Sequence, residues 1–397
     1  MNKILKKSIT LFFTMCLALS TSSSFSQQLT KADNDLLFSD IGQKQIVALG
    51  DATHTDYTAT KFRVDLIKEL VEKHNFSIIG IESNLYEVYK AFEDFKTNGN
   101  IVEMSSSLYF VVRSNELDKL FFYLKEQNEK GNNVKVFGFD SEFSGENPHL
   151  TFIKGIQSNS NNTEMKCKDI VSLKKLYEIF EKIQPLTPNN LKPLLSTKKE
   201  YRTLDNFLTC YLNNHSMSDE NKILNQSLSN LKVKIDNNAR SYNIIRDSLM
   251  FDNIIYLKNK YPDEKMILFG SSTHFQRKVK ASNSKFAQNS GWINLGERLS
   301  EKFPDDYFFI AYTAISGNTR DFYGKKKKLK KLIPNSIESI VSEKYSADTE
   351  IMYLSVNRDK SVLDEAVYSR FMGNTFLEMD ISMNADGLFF IKNNNMD

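Results

Sequence analysis

Cysteine is scarce in this chain: three residues in 397, one of them Cys16 near the N-terminus. None forms a CxxC pair or a Cys/His cluster, which excludes structural zinc of the finger or ribbon kind. Cys167 and Cys210 are left to pair or stay free, and the sequence does not show that they meet. A run long enough to cross a membrane, about 20 apolar residues, is missing from the N-terminal segment as well. The apolar run 9–19 follows Lys3, Lys6 and Lys7 and leads into serines ending Ser24-Phe25-Ser26. That is the layout of an export signal cleaved after Ser26. The three residues before Cys16, Phe13-Thr14-Met15, do not suit lipid attachment. The expectation is a secreted or periplasmic protein, with 1–26 as signal peptide, 27–397 as the mature domain and no membrane span retained.

Excess charge is also absent. The formal charge of +3 rests on the three leader lysines, and without residues 1–26 it is zero. A neutral protein is a poor binder of nucleic acid, which needs a clear surplus of Lys and Arg. The exception is Lys325-Lys326-Lys327-Lys328-Leu329-Lys330-Lys331, which reads first as a solvated helix face or loop.

Several catalytic signatures are missing. No GxSxG elbow exposes a serine nucleophile, and Ser271 and Ser272 lack the strained glycine turn that does so. Without a GxGxxG or Walker loop, a nucleotide cofactor has no support, and no cofactor is expected. HExxH is absent too.

What is present is alternation. Short, continuous apolar runs at 45–49, 76–81, 134–139, 265–269 and 307–311 read as strands buried on both faces, as in a parallel sheet. Further runs occur at 351–356 and 388–391. Amphipathic helical patterns lie between them at 58–73 and 114–130. The expected fold is α/β, a mainly parallel central sheet flanked by helices. Strand signals vanish over 151–250, which reads as a helical insertion or cap.

The strand ends carry the chemistry. The first strand runs into Gly50-Asp51-Ala52-Thr53-His54, the second ends in Ile81-Glu82, and the third in Phe139-Asp140. The fourth leads into Gly270-Ser271-Ser272-Thr273-His274. Ligands of open parallel sheets bind beyond the carboxyl ends of the strands, so Asp51, His54, Glu82, Asp140 and His274 should share one rim. Two of the chain's five histidines sit there. Imidazole titrates nearest neutral pH and is the usual proton-transfer group. Asp51, and Glu82 from the strand expected next door, would orient it. His74, at a helix end, reads as structural, while His149 and His215 carry no signal. With no activated nucleophile, water activated by His54 is the simplest attacking group. A divalent metal held by His54, His274 and the carboxylates is the alternative.

In these segments the chain resembles the erythromycin esterase family, over most of its mature length. The segments are Gly50-Asp51-Ala52-Thr53-His54-Thr55, Phe62-Arg63, Ile81-Glu82, Phe137-Gly138-Phe139-Asp140, Arg246-Asp247-Ser248-Leu249-Met250-Phe251-Asp252-Asn253, His274 and Leu295-Gly296-Glu297-Arg298-Leu299, in the family's order. The resemblance implies hydrolysis of a macrolide lactone or other small-molecule ester without a covalent intermediate. His54 would be the base, with Asp51 and Glu82 orienting it or the water. Arg63 would organise these carboxylates or bind substrate. His274 would polarise the carbonyl, with Asp140, Ser271, Arg246 and Asp247 in support. Three positions depart from the family: Asp51 replaces Glu, Ser271 replaces a first histidine and Thr55 replaces Gly. The wider superfamily adds two other readings, a metal-dependent hydrolase or peptidase and a non-catalytic haem or ligand binder.

Overall fold

The computed structural model describes residues 25, 28–54, 56–160, 167, 171–183, 197–214, 219–236, 242–283, 288, 291–320, 325–344 and 349–395. Most of residues 1–26, the expected signal peptide, therefore lies outside the described residues, as does His215. Phe25 is buried, its ring 4.8 Å from that of Phe62.

The chain alternates as its periodicity predicts. Helix α1 (Lys31–Ile41) precedes β1 (Ile46–Asp51), α2 (Tyr57–Lys73) and β2 (Phe76–Asn84). Then come α3 (Leu85–Asn98), α4 (Ile101–Ser106), α5 (Asn115–Glu129) and β3 (Lys135–Asp140). Over 151–250 the described residues lie mostly in helices, α6 (Pro148–Ser160), α7 (Leu173–Lys182), α8 (Lys198–Asn214), α9 (Asp219–Asp236) and the start of α10 (Tyr242–Lys260). The chain returns to the sheet with β4 (Lys265–Ser271), the short α11 (Ser272–Phe275), α12 (Leu295–Lys302) and β5 (Tyr307–Arg320). The rest comprises β6 (Lys326–Lys328), α13 (Ile337–Lys344), β7 (Ile351–Ser355), the small pair β8 (Tyr368–Ser369) and β9 (Leu377–Glu378), and β10 (Gly387–Asn394).

The main sheet runs β3-β2-β4-β1-β5-β10-β7. It is parallel except for β7 against β10 and β6 against the end of β5. Alternate residues of each strand serve opposite faces. Val47, Leu49, Ile79, Ile81, Ile267 and Phe269 join α1, α2 and α5 in one apolar core. Ile46, Ala48, Ile78, Met266, Leu268 and Phe309 join α6 to α13 in the other. Each such buried Leu, Ile or Phe contributes roughly 1.5–3 kcal/mol. Two-sided burial explains the unbroken apolar runs.

Two expectations are corrected. β2 is not the neighbour of β1: β4 lies between them, paired with both in parallel register. The lysine run is neither helix face nor loop throughout, because Lys326–Lys328 pair antiparallel with Asn318, Thr319 and Arg320. Its lysines are exposed, while Leu329 packs into the core.

Candidate active site

Parallel strands all present their carboxyl ends to one rim, and the rim here collects ionisable groups in a chain of contacts. Asp51, at the end of β1, is fully buried and accepts a 2.5 Å hydrogen bond from Nη2 of Arg63, which projects from α2. The Arg63 guanidinium also donates at 3.2 Å to the carbonyls of Leu49 and Gly270, and lies 3.8 Å from the centre of the Phe269 ring. With no exposure at all, Arg63 organises Asp51 and does not present itself to substrate.

His54 sits in the β1–α2 connection with its side chain 17% exposed. Its Nδ1 lies 3.4 Å from Asp51 Oδ2, and its Nε2 lies 3.7 Å from Glu82 Oε2. Glu82 stands near the end of β2, and its Oε2 also accepts from the Ser271 N–H at 2.7 Å. Gly270 makes that approach possible, since a Cβ there would stand 2.7 Å from the same oxygen. The other oxygen, Oε1, faces Nε2 of His274 at 3.4 Å and accepts from Arg246 Nη2 at 3.0 Å. Glu82 thus stands between the two imidazoles.

His274 is on α11, which is capped by Ser271 Oγ accepting from the Thr273 N–H. Its Nδ1–H donates to Asp247 Oδ1 at 2.8 Å. Asp247 is held in turn by the indole N–H of Trp292 at 2.7 Å and the Leu295 N–H at 3.0 Å. Arg246, beside it on α10, clamps Asp140 at the end of β3 through Nε and Nη2 at 3.0 and 2.5 Å.

These contacts set the protonation states. Burial opposes the charge on His274, but Asp247 and Glu82 prevail and raise its pKa to about 10. Burial likewise opposes a charged His54, and Asp51 and Glu82 raise its pKa above the ordinary value. Burial would push Glu82 up, yet His274 and His54 hold it well below the usual carboxylate range. For Asp51 the same contest is won by Arg63, and its pKa is lowered. Asp51, Glu82, Asp140 and Asp247 balance Arg63 and Arg246 only when both imidazoles are protonated.

All the residues singled out in the sequence meet here, and Ser271 does so through its backbone N–H and its capping hydroxyl. Outside the site, His74 stacks on Phe38 at 4.2 Å, and His149 packs edge-on to Tyr177. Sequence reasoning missed Trp292, although it is the chain's single tryptophan and stands in a polar stretch. It also missed Tyr109, whose N–H donates to Ser83 Oγ at 2.9 Å. Burial pushes the Tyr109 pKa up to about 12, and its phenol feels the charges of Arg246, Glu82 and Asp140. Helix α9 is tied to the rim by a buried ion pair of Lys234 with Glu142, two residues beyond Asp140. Among the described residues, no group of three or more His, Cys, Asp and Glu is arranged to hold a metal ion, and no helix is long and apolar enough to cross a membrane.

Comparison with known proteins agrees with this fold. The structure of a mutant of the erythromycin esterase EreC, in its open conformation, superposes with a TM-score of 0.70. The identity is 15%, and the match covers 92% of this chain and 94% of that one. A succinoglycan biosynthesis protein superposes with a TM-score of 0.71 at 15% identity, over 90% of each chain. YbfO of Bacillus subtilis, which bears the name of a hydrolase without a stated substrate, is 24% identical over 303 residues. That alignment covers 70% of this chain and 66% of YbfO, just under two thirds of the relative's length. The family model of erythromycin esterase matches residues 71–393, a span that contains Glu82, Asp140, Arg246, Asp247 and His274 and begins after His54 and Arg63. The chain belongs to the erythromycin esterase family.

Proposed function

We propose that the protein hydrolyses a carboxylic ester or lactone of a small molecule with water activated by His54. The observation that carries this reading is the placement of Glu82 between two imidazoles, each backed by its own carboxylate, Asp51 for His54 and Asp247 for His274. His54 is the more exposed of the two and lacks a hydrogen bond to its Nδ1. It gives up a proton more readily than His274 and serves as base. His274, protonated up to about pH 10, supplies positive charge where the carbonyl oxygen becomes an oxyanion. Arg246 holds Glu82 and Asp140 in place beside it.

We also propose that the protein is exported, to be secreted or held in the periplasm. The basic and apolar start of the chain supports export, as does the bond between Cys167 and Cys210, since disulfides persist in oxidising compartments.

The test is turnover of a panel of esters, lactones and macrolides by the wild type and His54→Asn, before and after dialysis against EDTA. The expected result is a loss of about 10²- to 10⁴-fold in a folded His54→Asn protein, and no effect of EDTA. A folded variant of near-normal rate overturns the assignment of the base. Activity lost to EDTA and restored by zinc or manganese moves the protein to metal-dependent hydrolysis.

A further inference from the structure

Asp56 is the N-cap residue of α2, a position where an aspartate carboxylate ordinarily accepts from the first backbone N–H groups of its helix. Here it makes no such bond. Its carboxylate turns instead into a buried polar cluster three strands' reach along the chain, where Oδ1 accepts from the Thr319 hydroxyl at 2.8 Å and Oδ2 lies 3.4 Å from the Asn374 amide nitrogen. Thr319 Oγ1 in turn lies 2.9 Å from the Asn374 amide nitrogen and 3.1 Å from Thr53 Oγ1. A hydroxyl has one proton and two lone pairs. With its proton given to Asp56, Thr319 accepts from both Asn374 and Thr53.

The bonds straddle His54. Thr53 precedes it and Asp56 follows it by two residues, and one residue further back the Ala52 carbonyl accepts from the Gly373 N–H at 2.8 Å. Asn374 holds a left-handed backbone conformation, φ 52°, which asparagine tolerates better than most residues and which its place in the cluster requires. Asp56, Thr319 and Asn374 are 4%, 8% and 9% exposed. Among the described residues, His54 pairs with Asp51 at 3.4 Å and Glu82 at 3.7 Å, and its Nδ1 makes no hydrogen bond, so its own side chain does little to fix the loop that bears it.

We propose that Thr319, with Asn374 and Asp56, positions the His54 loop, and that the hydroxyl of Thr319 is the point through which the C-terminal part of the chain sets the place of the catalytic imidazole. The proposal rests on the reading of His54 as base. Thr319 touches no reacting atom and is a positioning residue.

The experiment uses the full mature protein and four variants: Thr319→Val, Thr319→Ser, Asn374→Gly and Thr313→Val. Valine keeps the shape of threonine and removes the hydroxyl. Glycine accepts the left-handed backbone at 374 and removes the amide. Thr313, on the same strand as Thr319 but outside this cluster, donates to buried Glu338 of α13 and controls for loss of a buried hydroxyl as such. Two readouts are taken: the titration of the His54 ring by NMR, its resonance assigned with His54→Asn, and kcat and KM on whichever ester the panel identifies.

Loosening the loop returns His54 toward the solvent value, so its midpoint should fall by about half a unit or more in Thr319→Val and Asn374→Gly. A displacement of about 1 Å costs on the order of 100-fold; kcat should fall about 10- to 100-fold in both variants, with KM held within about threefold. Thr319→Ser should restore both readouts, and Thr313→Val should leave both at wild-type values. Should Thr319→Val fail to fold, Asn374→Gly carries the same comparison. The proposal is overturned if the folded variants keep the wild-type midpoint and rate, or if Thr313→Val matches their losses. A wild-type rate in His54→Asn defeats the functional reading instead, while the NMR midpoint still reports on the loop.

Discussion

Asp247 accepts the Nδ1 proton of His274 at 2.8 Å and thereby turns Nε2 of that ring toward Glu82, 3.4 Å away. His54 meets the other oxygen of the same carboxylate. One carboxylate therefore adds to the charge of both imidazoles, beside Asp51 at His54 and Asp247 at His274, and the pH dependence of turnover should show it.

A general base works deprotonated, so kcat/KM should rise with pH through the pKa of His54, which lies above the ordinary 6.5. It should fall again as His274 loses its proton near 10. Glu82→Gln removes the anion from both rings and should move both limbs to lower pH. A wild-type acid limb at or below 6.5, or limbs unmoved in Glu82→Gln, contradicts the assignment. The linkage to stability has a definite sign. His274, with its folded pKa raised, contributes stability in full below its unfolded value, lost as pH rises toward about 10.

Arg63 makes a different kind of pair. It is fully buried with Asp51, and removing it strands a carboxylate that has no water to turn to. Arg63→Ala should cost about 3–5 kcal/mol in urea unfolding. Arg63→Lys should recover little of that, because a lysine cannot reach the Asp51 carboxylate and two carbonyls with one planar fork. The depressed pKa of Asp51 makes the contribution of the pair present above about pH 4 and lost as pH falls through the lower folded value. A destabilisation below about 1 kcal/mol in Arg63→Ala would place this pair among surface ion pairs in effect.

The disulfide joins Cys167 to Cys210 in α8 across 43 residues, with Cα atoms 5.9 Å apart. Closing a loop of that length removes chain entropy worth on the order of 4 kcal/mol from the unfolded state. Cys210→Ser and dithiothreitol should each lower the Tm of the wild type, and the two treatments should not add. A Tm unaffected by reductant shows that the bond contributes no net stability.

Substrate preference should reflect the family positions at which this chain differs. Ser271 spends its hydroxyl capping α11, and the Asp51 carboxylate is drawn back against Arg63 by a side chain one methylene shorter than glutamate. Erythromycin should therefore be a poor substrate, with another ester or lactone preferred. Ser271→His should raise kcat/KM on erythromycin, and Ser271→His with Asp51→Glu should raise it more. A wild-type value near 10⁴ M⁻¹s⁻¹ or above, ordinary for an enzyme on its own substrate, shows that these departures do not matter.

Much of the molecule is legible along the chain. Continuous apolar runs mark strands buried on both faces, because a sheet covered on two sides has no solvent face to encode. Parallel direction follows from the helices between them, and parallel direction sends Asp51, Glu82, Asp140 and the Ser271 region to one rim. The acids and histidines could be named from that alone. Which acid serves which histidine could not. Asp247 reaches His274 from a helix 27 residues upstream, and Trp292 reaches Asp247 from 45 residues downstream. The insertion of β4 between β1 and β2 put Glu82 between the two imidazoles, where a neighbouring-strand reading had given it to His54 alone. Periodicity reports only which face of an element is buried. Strand order and side-chain pairing are settled by how distant elements pack, and a chain read one residue at a time carries no local record of that packing.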